Sequence, residues 1–191
     1  PLKIVRDDLE IVLLDSLQKR VNFLNEVIKE CGLKNIIAVH GRAEDFAAAS
    51  ALKNSTLKGT KAKGINTKKN SEDETGLEKS QVGNMYREQY DLCVSRAVAN
   101  LSTLSEYCLP FVKVGGFFIP YKSDKGDREL KEADTAITIL GGCTKSECEF
   151  LLPGTDNKRN LYLIEKIKET PKKYPRKAGT PARDPLGKGT E

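Results

Sequence analysis

Two short runs of β-branched residues and leucine enclose a segment with helical periodicity near the start of the chain. The runs, Glu10–Asp15 and Asn35–Val39, have the composition of strands that are buried on both faces. The segment between them carries an apolar stripe from Ser16, the predicted N-cap, to Glu30, and Gly32 follows as a terminator. A strand, a helix and a strand of these lengths predict a parallel βαβ unit with a right-handed crossover.

The chain beyond residue 86 continues in the same way and predicts a doubly wound α/β domain. Pro120 predicts that its strand lies at a sheet edge or carries a bulge. The last two strands are joined by a short loop, so we expect an antiparallel pair at one edge of a mostly parallel sheet. The predicted elements are strand Tyr90–Ser95, helix Leu101–Cys108, strand Phe117–Tyr121, helix Gly126–Leu140, and strands Lys145–Leu152 and Asn160–Lys166.

Two segments depart from this pattern. Residues from about 48 to 86 are polar, rich in lysine, serine and threonine, and without periodicity, which predicts a largely disordered surface insertion. From Lys166 onward the chain has eight basic and three acidic residues, a difference equal to the net charge of +5, and its prolines predict an extended course. The predicted organisation is an α/β domain over residues 1–168 and a basic, proline-rich tail over 169–191.

The basic tail suits a polyanionic partner. Nucleic acid is favoured over a membrane surface because the segment is not amphipathic. A solvated tail that only improves solubility is the alternative interpretation.

Cysteine usage and hydropathy favour a cytoplasmic protein. The five cysteines are an odd number without CxxC spacing, so we expect reduced thiols and neither a disulfide framework nor a metal site. No apolar run approaches the ~20 residues of a membrane span, and the first ten residues are too charged for a signal peptide. The first residue is proline, which indicates a fragment or a processed form.

The candidate site lies where the predicted parallel strands end, because ligands of open α/β sheets bind beyond the carboxyl ends of the strands. Asp15 ends the first strand and is placed to accept hydrogen bonds from ribose hydroxyls, although an acid capping the next helix is equally compatible. Residues 40–45 follow the second strand, and Arg96 follows the third. Arg96 could face a carboxylate, a phosphate or a base, or else pair with Asp91 or Glu106. No glycine-rich turn precedes the first strand, so Asp15 alone does not separate S-adenosylmethionine from a nicotinamide cofactor.

Five stretches are specific in combination. They are PLKI at 1–4, LLDSLQKRVNFL at 13–24, HGRAEDF at 40–46, YDLCVSRAVANLSTLSEYCLPFVKVGG at 90–116 and TPKKYPRKAGTPARDPL at 170–186. Together they resemble the RsmG or glucose-inhibited division protein B family, whose members methylate N7 of a guanine in 16S ribosomal RNA. The family's N-terminal helices, first strand and glycine loop have no counterpart in this chain, and the insertion at about 48–86 is atypical.

The resemblance implies a class I (Rossmann-like) methyltransferase fold over residues 1–168, with a mostly parallel sheet and an antiparallel C-terminal strand. It implies S-adenosyl-L-methionine as the methyl donor, no metal, and 16S ribosomal RNA or a small-subunit assembly intermediate as the partner of a cytoplasmic monomer. Two other functions stay open. One is a non-catalytic RNA-binding module with a lost cofactor pocket, and the other is a nicotinamide-dependent oxidoreductase, which lacks a plausible acid or base here.

The resemblance also assigns roles to individual residues. Asp15 faces the ribose of the cofactor, Ala43 and Glu44 lie on its adenine side, and Arg96 is a cofactor-site residue and the one catalytic candidate. No general base is expected, because guanine N7 carries a free lone pair. The candidates for RNA contact are Lys122, Arg159, Lys172, Lys173, Arg176 and Lys177.

Overall fold

The strands of the first half form a parallel pair, as the βαβ pattern predicts. In the computed structural model, which describes residues 1–48, 86–96, 99–123 and 126–187, β1 (Ile11–Asp15) runs parallel to β2 (Ile36–His40). The helix α2 (Gln18–Glu30) connects them and packs on both. Apart from its ends, the predicted insertion lies outside the described residues.

The remaining strands form a four-stranded mixed sheet in the order β3-β4-β6-β5. β3 and β4 are parallel, and β6 is antiparallel to both of its neighbours. The expected α/β fold with an antiparallel C-terminal strand is therefore confirmed, with β5 rather than β6 at the edge. The other elements are α1 (Leu2–Val5), α3 (Ala43–Phe46), β3 (Tyr90–Arg96), α4 (Leu101–Cys108), a 3₁₀ turn (Leu109–Phe111), β4 (Val112–Lys122), α5 (Gly126–Ile139), β5 (Gly142–Leu151), β6 (Lys158–Lys166) and α6 (Thr180–Arg183).

The two sheets do not pair with each other. Among the described residues no strand is bonded to the second edge of β1 or to the outer edge of β3. A cavity of about 370 Å³ lies between these edges and is lined by residues 12–15 of β1 and 92–95 of β3.

The core lies under the four-stranded sheet and is built around α4. Asn100 caps this helix by accepting the Thr103 backbone N–H at 2.9 Å, and every residue of the helix except Tyr107 is buried. The buried apolar side chains come from α4, β4, α5 and β6, and they include Leu104, Phe118, Ile137 and Ile164. The buried face of α4 also includes a fully buried carboxylate, Glu106.

Two local predictions are wrong. The N-cap of α2 is Leu17 and not Ser16. β4 begins at Val112 and not at Phe117, so Gly115 and Gly116 lie within the strand. Of the two alternatives predicted for the strand that contains Pro120, the edge position is excluded because β4 has neighbours on both sides, while a bulge is present in its pairing with β3.

The pairing of β4 explains how an interior strand accommodates these residues. Its register with β3 jumps between the Tyr90 and Leu92 pairs, and residues 113–116 form the extra length on β4. A Cβ at Gly116 would lie 2.7 Å from the Asp91 carbonyl oxygen, so the close approach requires glycine. On the other side, no pairing with β6 includes Pro120, whose missing N–H is therefore not needed there.

The tail does not follow the extended course predicted for it. Residues 170–187 fold back over α4, where the Thr103 hydroxyl donates to the Pro181 carbonyl at 2.9 Å, and Gly187 lies against Thr135 of α5. The prolines at 181 and 185 are buried. The predicted boundary between residues 168 and 169 stays a prediction.

A buried lysine anchors the start of the tail. The Lys166 side chain is 0% exposed and its ammonium donates to the carbonyls of Leu109 at 2.7 Å and Val112 at 3.3 Å, and to Thr170 Oγ1 at 2.7 Å. Glu88 Oε1 lies 3.2 Å away. Burial lowers the pKa of Lys166 from 10.5 to about 8, against the opposing effect of Glu88.

Arg87 ties the same segment to the first half of the chain. Its guanidinium donates to the carbonyl oxygens of Ala47 and Tyr174, each at 2.8 Å, and of Thr170 at 2.5 Å. Each of these acceptors is a backbone oxygen, so the contact depends on the path of the chain more than on side-chain identity.

Lys166→Met tests the buried charge through its pH dependence. Lys166 has a higher pKa in the unfolded protein than in the folded one, so between pH 8 and 10 the unfolded state binds more protons. Over this range the free energy of unfolding of the wild type should therefore increase with pH relative to that of Lys166→Met. Urea unfolding at several pH values measures the difference. Lys145→Met, an exposed lysine whose pKa is raised by Glu165, should run parallel to the wild type over this range. A wild-type curve parallel to that of Lys166→Met would contradict the buried-charge assignment.

Candidate cofactor and RNA site

The ends of three strands meet at one cavity. Asp15 at the end of β1, Ala43 just after β2 and Ser95 near the end of β3 all line it. The structure thus brings these three residues to one cavity, and their role in binding a ligand stays a prediction. The rest of the lining is largely apolar and aromatic, and includes Phe46, Tyr86, Tyr90, Tyr107 and Phe111.

Asp15 lies just ahead of α2 and borders the cavity. One carboxylate oxygen accepts the backbone N–H of Leu17, the N-cap residue, at 2.8 Å, and the other lies 3.3 Å from the Arg20 guanidinium. The helix has no side-chain hydrogen bond at its N-cap, so the capping role that the sequence left open is not formed. A carboxylate has about four lone-pair positions, so the half-buried side chain keeps acceptor capacity toward the cavity.

Ala43 and Glu44 point to different surroundings. Ala43 lies on the cavity wall, whereas the Glu44 carboxylate is absent from the lining and accepts the Gly179 N–H at 2.9 Å. Glu44 is 7% exposed. The structure thus brings Ala43 and not Glu44 to the cavity, and it connects Glu44 to the tail.

Arg96 ends β3 and is exposed. The two ion pairs that the sequence offered as alternatives do not form, because Asp91 pairs with Lys113 at 2.5 Å and Glu106 pairs with Arg176 at 2.8 Å. In the described part of the chain no acid pairs with Arg96. Arg96 is not among the residues that line the cavity, although its neighbour Ser95 is, and its role at the site stays a prediction.

Three of the six RNA candidates are engaged within the protein. The Lys122 ammonium is 12% exposed, donates to the Ala99 carbonyl at 2.9 Å and pairs with Glu129 at 2.5 Å. Arg159 donates to the backbone carbonyl of Lys158 at 2.7 Å. The third, Arg176, pairs with the buried carboxylate of Glu106.

The other three candidates are exposed lysines of the tail. Lys172, Lys173 and Lys177 are all exposed, and within the described ranges none forms an ion pair. The Lys173 ammonium lies 5.2 Å from the centroid of the Tyr174 ring, whose face favours a cation. These side chains are free to approach phosphates.

Sequence reasoning missed the aromatic wall and the thiol pair of the cavity. The rings of Phe46 and Tyr86 have centroids 5.1 Å apart, across the insertion, which no local pattern could indicate. The hydrogen bond that the Cys108 thiol makes to Cys93, together with burial, raises the pKa of Cys108 well above its ordinary value. Cys108 thus remains protonated, in keeping with a packing role.

The described residues show no helix that is both long and apolar enough to cross a bilayer. In the same residues, no group of three or more His, Cys, Asp and Glu side chains is placed to hold a metal ion.

Glu44→Ala should destabilise the protein by about 2 kcal/mol, because a hydrogen bond from the Gly179 N–H to a buried carboxylate is lost. Denaturant unfolding measures the change. The matched control is Asp45→Ala, which removes the neighbouring, exposed acid of the same helix and should change stability by less than ~0.5 kcal/mol. Equal effects of the two substitutions would contradict the contact.

Comparisons with known proteins identify one family. The family model described as rRNA small subunit methyltransferase G (GidB) matches residues 1–59 and 67–162. Proteins named ribosomal RNA small subunit methyltransferase G are 45% identical over 186 residues in both Lachnoclostridium phytofermentans and Desulforamulus reducens. The match covers 97% of this chain and 63% of each relative, so the chain spans less than two thirds of their length.

Solved structures resemble the fold at low sequence identity. The E81Q mutant of MtNAS superposes with a TM-score of 0.50 at 13% identity, covering 87% of this chain and 48% of that one. This likeness concerns the fold alone.

Proposed function

Because the chain belongs to the rRNA small subunit methyltransferase G family, we propose that it transfers a methyl group from S-adenosyl-L-methionine to N7 of a guanine in 16S ribosomal RNA. The observation that carries the proposal is the cavity where Asp15, Ala43 and Ser95 meet at the strand ends. Neither a non-catalytic RNA-binding module nor an oxidoreductase is favoured by a specific observation.

The residues at the cavity fit the proposed cofactor. Asp15 would hold the ribose hydroxyls, because its partly exposed carboxylate keeps free lone pairs. Ala43 leaves room for a flat ring beside the aromatic and apolar wall. We assign the adenine contact to Ala43 and give Glu44 a supporting role through Gly179.

The proposed reaction requires orientation more than acid or base chemistry. When bound, the cofactor supplies an electrophilic methyl group on a sulfonium, and guanine N7 takes it up directly through its lone pair. Arg96 would orient a phosphate or a carboxylate beside the reacting atoms. The cavity wall would exclude water, and Cys93 and Cys108 would only pack there.

On the RNA side, we propose that Lys172, Lys173 and Lys177 contact phosphates, in support of a 16S ribosomal RNA or assembly-intermediate substrate. Cations of this kind supply sequence-independent affinity that weakens with salt. Their exposure and their lack of ion pairs within the described ranges support the assignment. A cytoplasmic location and a monomeric state are also proposed.

Methyl transfer is tested directly with this chain, radiolabelled S-adenosyl-L-methionine and 16S ribosomal RNA that lacks the modification. We expect label in N7-methylguanine, located by the strand scission that this modified base undergoes after reduction and aniline treatment. RNA that already carries the modification is the control and should remain unlabelled. Label at another atom, or none, would contradict the proposal.

Arg96→Ala should lower kcat/KM by about 10- to 100-fold, because one charge-assisted hydrogen bond to the ligand is lost. The exposed side chain makes a folded variant the expectation, which circular dichroism checks. Arg128→Ala is the matched control, since Arg128 is an exposed arginine that pairs with Glu132 on α5. Full activity of Arg96→Ala would remove Arg96 from the site.

A further inference from the structure

Arg176 has almost no donor capacity left for RNA. Its Nε lies 3.1 Å from both carboxylate oxygens of Glu106, and its NH2 lies 2.8 Å from Glu106 Oε2. The same NH2 donates to the Asp184 carbonyl at 2.6 Å, and NH1 donates to the Asp184 carboxylate at 3.1 Å. A guanidinium has five N–H donors, so these contacts leave about one.

The ion pair matters more for Glu106 than for Arg176, because the Glu106 side chain is fully buried and that of Arg176 is partly exposed. Its side chain is 0% exposed on the buried face of α4, and an isolated buried carboxylate is strongly unfavourable. Glu106 Oε1 also accepts the Arg176 backbone N–H at 2.7 Å, so the carboxylate holds both the main chain and the side chain of that residue. Because the negative charge of Glu106 lies next to the guanidinium of Arg176, it reduces the attraction between Arg176 and a nearby phosphate.

The ion pair lies between two other anchors of the tail. Thr170 is buried and donates its backbone N–H to Glu88 at 2.7 Å, and Pro181 is buried and accepts from Thr103. Tyr174, between them, is 7% exposed. The segment is therefore fixed at several points along its inner side.

Three exposed lysines lie on the same segment. Lys172 and Lys173 precede Tyr174, and Lys177 follows Arg176 directly. Because the backbone that carries them is anchored, these three ammonium groups are presented from a fixed path. A preorganised set of contacts binds more tightly than the same groups on a disordered tail, since less conformational entropy is lost.

We propose that Glu106 and Arg176 form a clamp that holds the tail as a preorganised surface for an RNA backbone, and that Arg176 is a positioning residue and not a phosphate ligand. The inference rests on the proposed RNA substrate and deepens it. Arg176 would then support the tail from its inner side and would not contact RNA. RNA affinity would depend on Glu106 as well.

The two roles of Arg176 predict opposite effects of Glu106→Gln. If Arg176 is a phosphate ligand, removing the charge that neutralises it leaves RNA binding unchanged or tighter. If it is part of a clamp, the variant binds RNA more weakly although the protein has become more positive. We expect affinity about tenfold weaker for a fluorescein-labelled oligouridylate. Asp134→Asn, at an exposed acid of α5, makes the same charge change away from the tail and is the matched control.

Arg176→Lys is a second, milder variant that keeps the positive charge but loses the fork that holds both oxygens of Glu106. The clamp predicts weaker RNA binding and faster tryptic cleavage in the tail, with the circular dichroism of the α/β domain unchanged. Lys177→Ala should instead weaken binding without faster cleavage, and flatten the salt dependence by about 0.7 in log–log slope.

Affinity of Glu106→Gln equal to or greater than that of Asp134→Asn, or wild-type affinity of Arg176→Lys with an unchanged cleavage rate, would overturn the clamp. Failure of the wild type to bind oligouridylate would overturn it too. The methyl-transfer assay decides the proposed function separately, because it is made on the wild-type chain and follows label in N7-methylguanine, whereas the clamp is tested by comparing the RNA affinities of variants.

Discussion

The buried carboxylate of Glu106 sets the conditions under which the C-terminal part of this protein folds. It lies on the helix that covers β3 and β4, and a charge at 0% exposure is tolerated only when it is paired and hydrogen-bonded. The chain supplies that partner seventy residues later, from Arg176. The packing of α4 on the sheet buries Glu106, and the tail supplies the partner that this buried carboxylate requires. The two contacts are therefore expected to form together.

Two more buried charged residues bind the tail. Lys166 donates a hydrogen bond to Thr170 at the start of the tail, and Glu44 accepts the backbone N–H of Gly179 farther along it. Glu44 lies on α3, the helix that also contributes Ala43 and Phe46 to the cavity wall. The tail that carries the proposed RNA surface is therefore hydrogen-bonded to an element of the proposed cofactor site.

The local elements could be predicted closely, and the site only in part. The helix Leu101–Cys108 has its predicted bounds, because its cap and apolar pattern are encoded within the segment itself. Asp15 could be placed at the cavity in advance because strand ends define the crevice of an open α/β sheet. The role of Glu44 was missed because the residue that it binds lies 135 positions away. The extended course predicted for the tail was wrong because prolines limit the backbone but do not say what the segment packs against.

The sequence by itself determined the strands, the helices, the family and the excess of positive charge in the tail, since periodicity and residue type are local properties that act over a few neighbours. Only the tertiary structure decided which charges are available to a ligand. Lys122, Arg176 and Lys177 are all basic residues in the sequence. Two of them are neutralised by acids that the fold brings next to them, Glu129 and Glu106, while Lys177 is exposed. Burial and pairing depend on residues distant in the chain, and for that reason residue type alone could not separate the cations that stabilise the fold from those that can reach RNA.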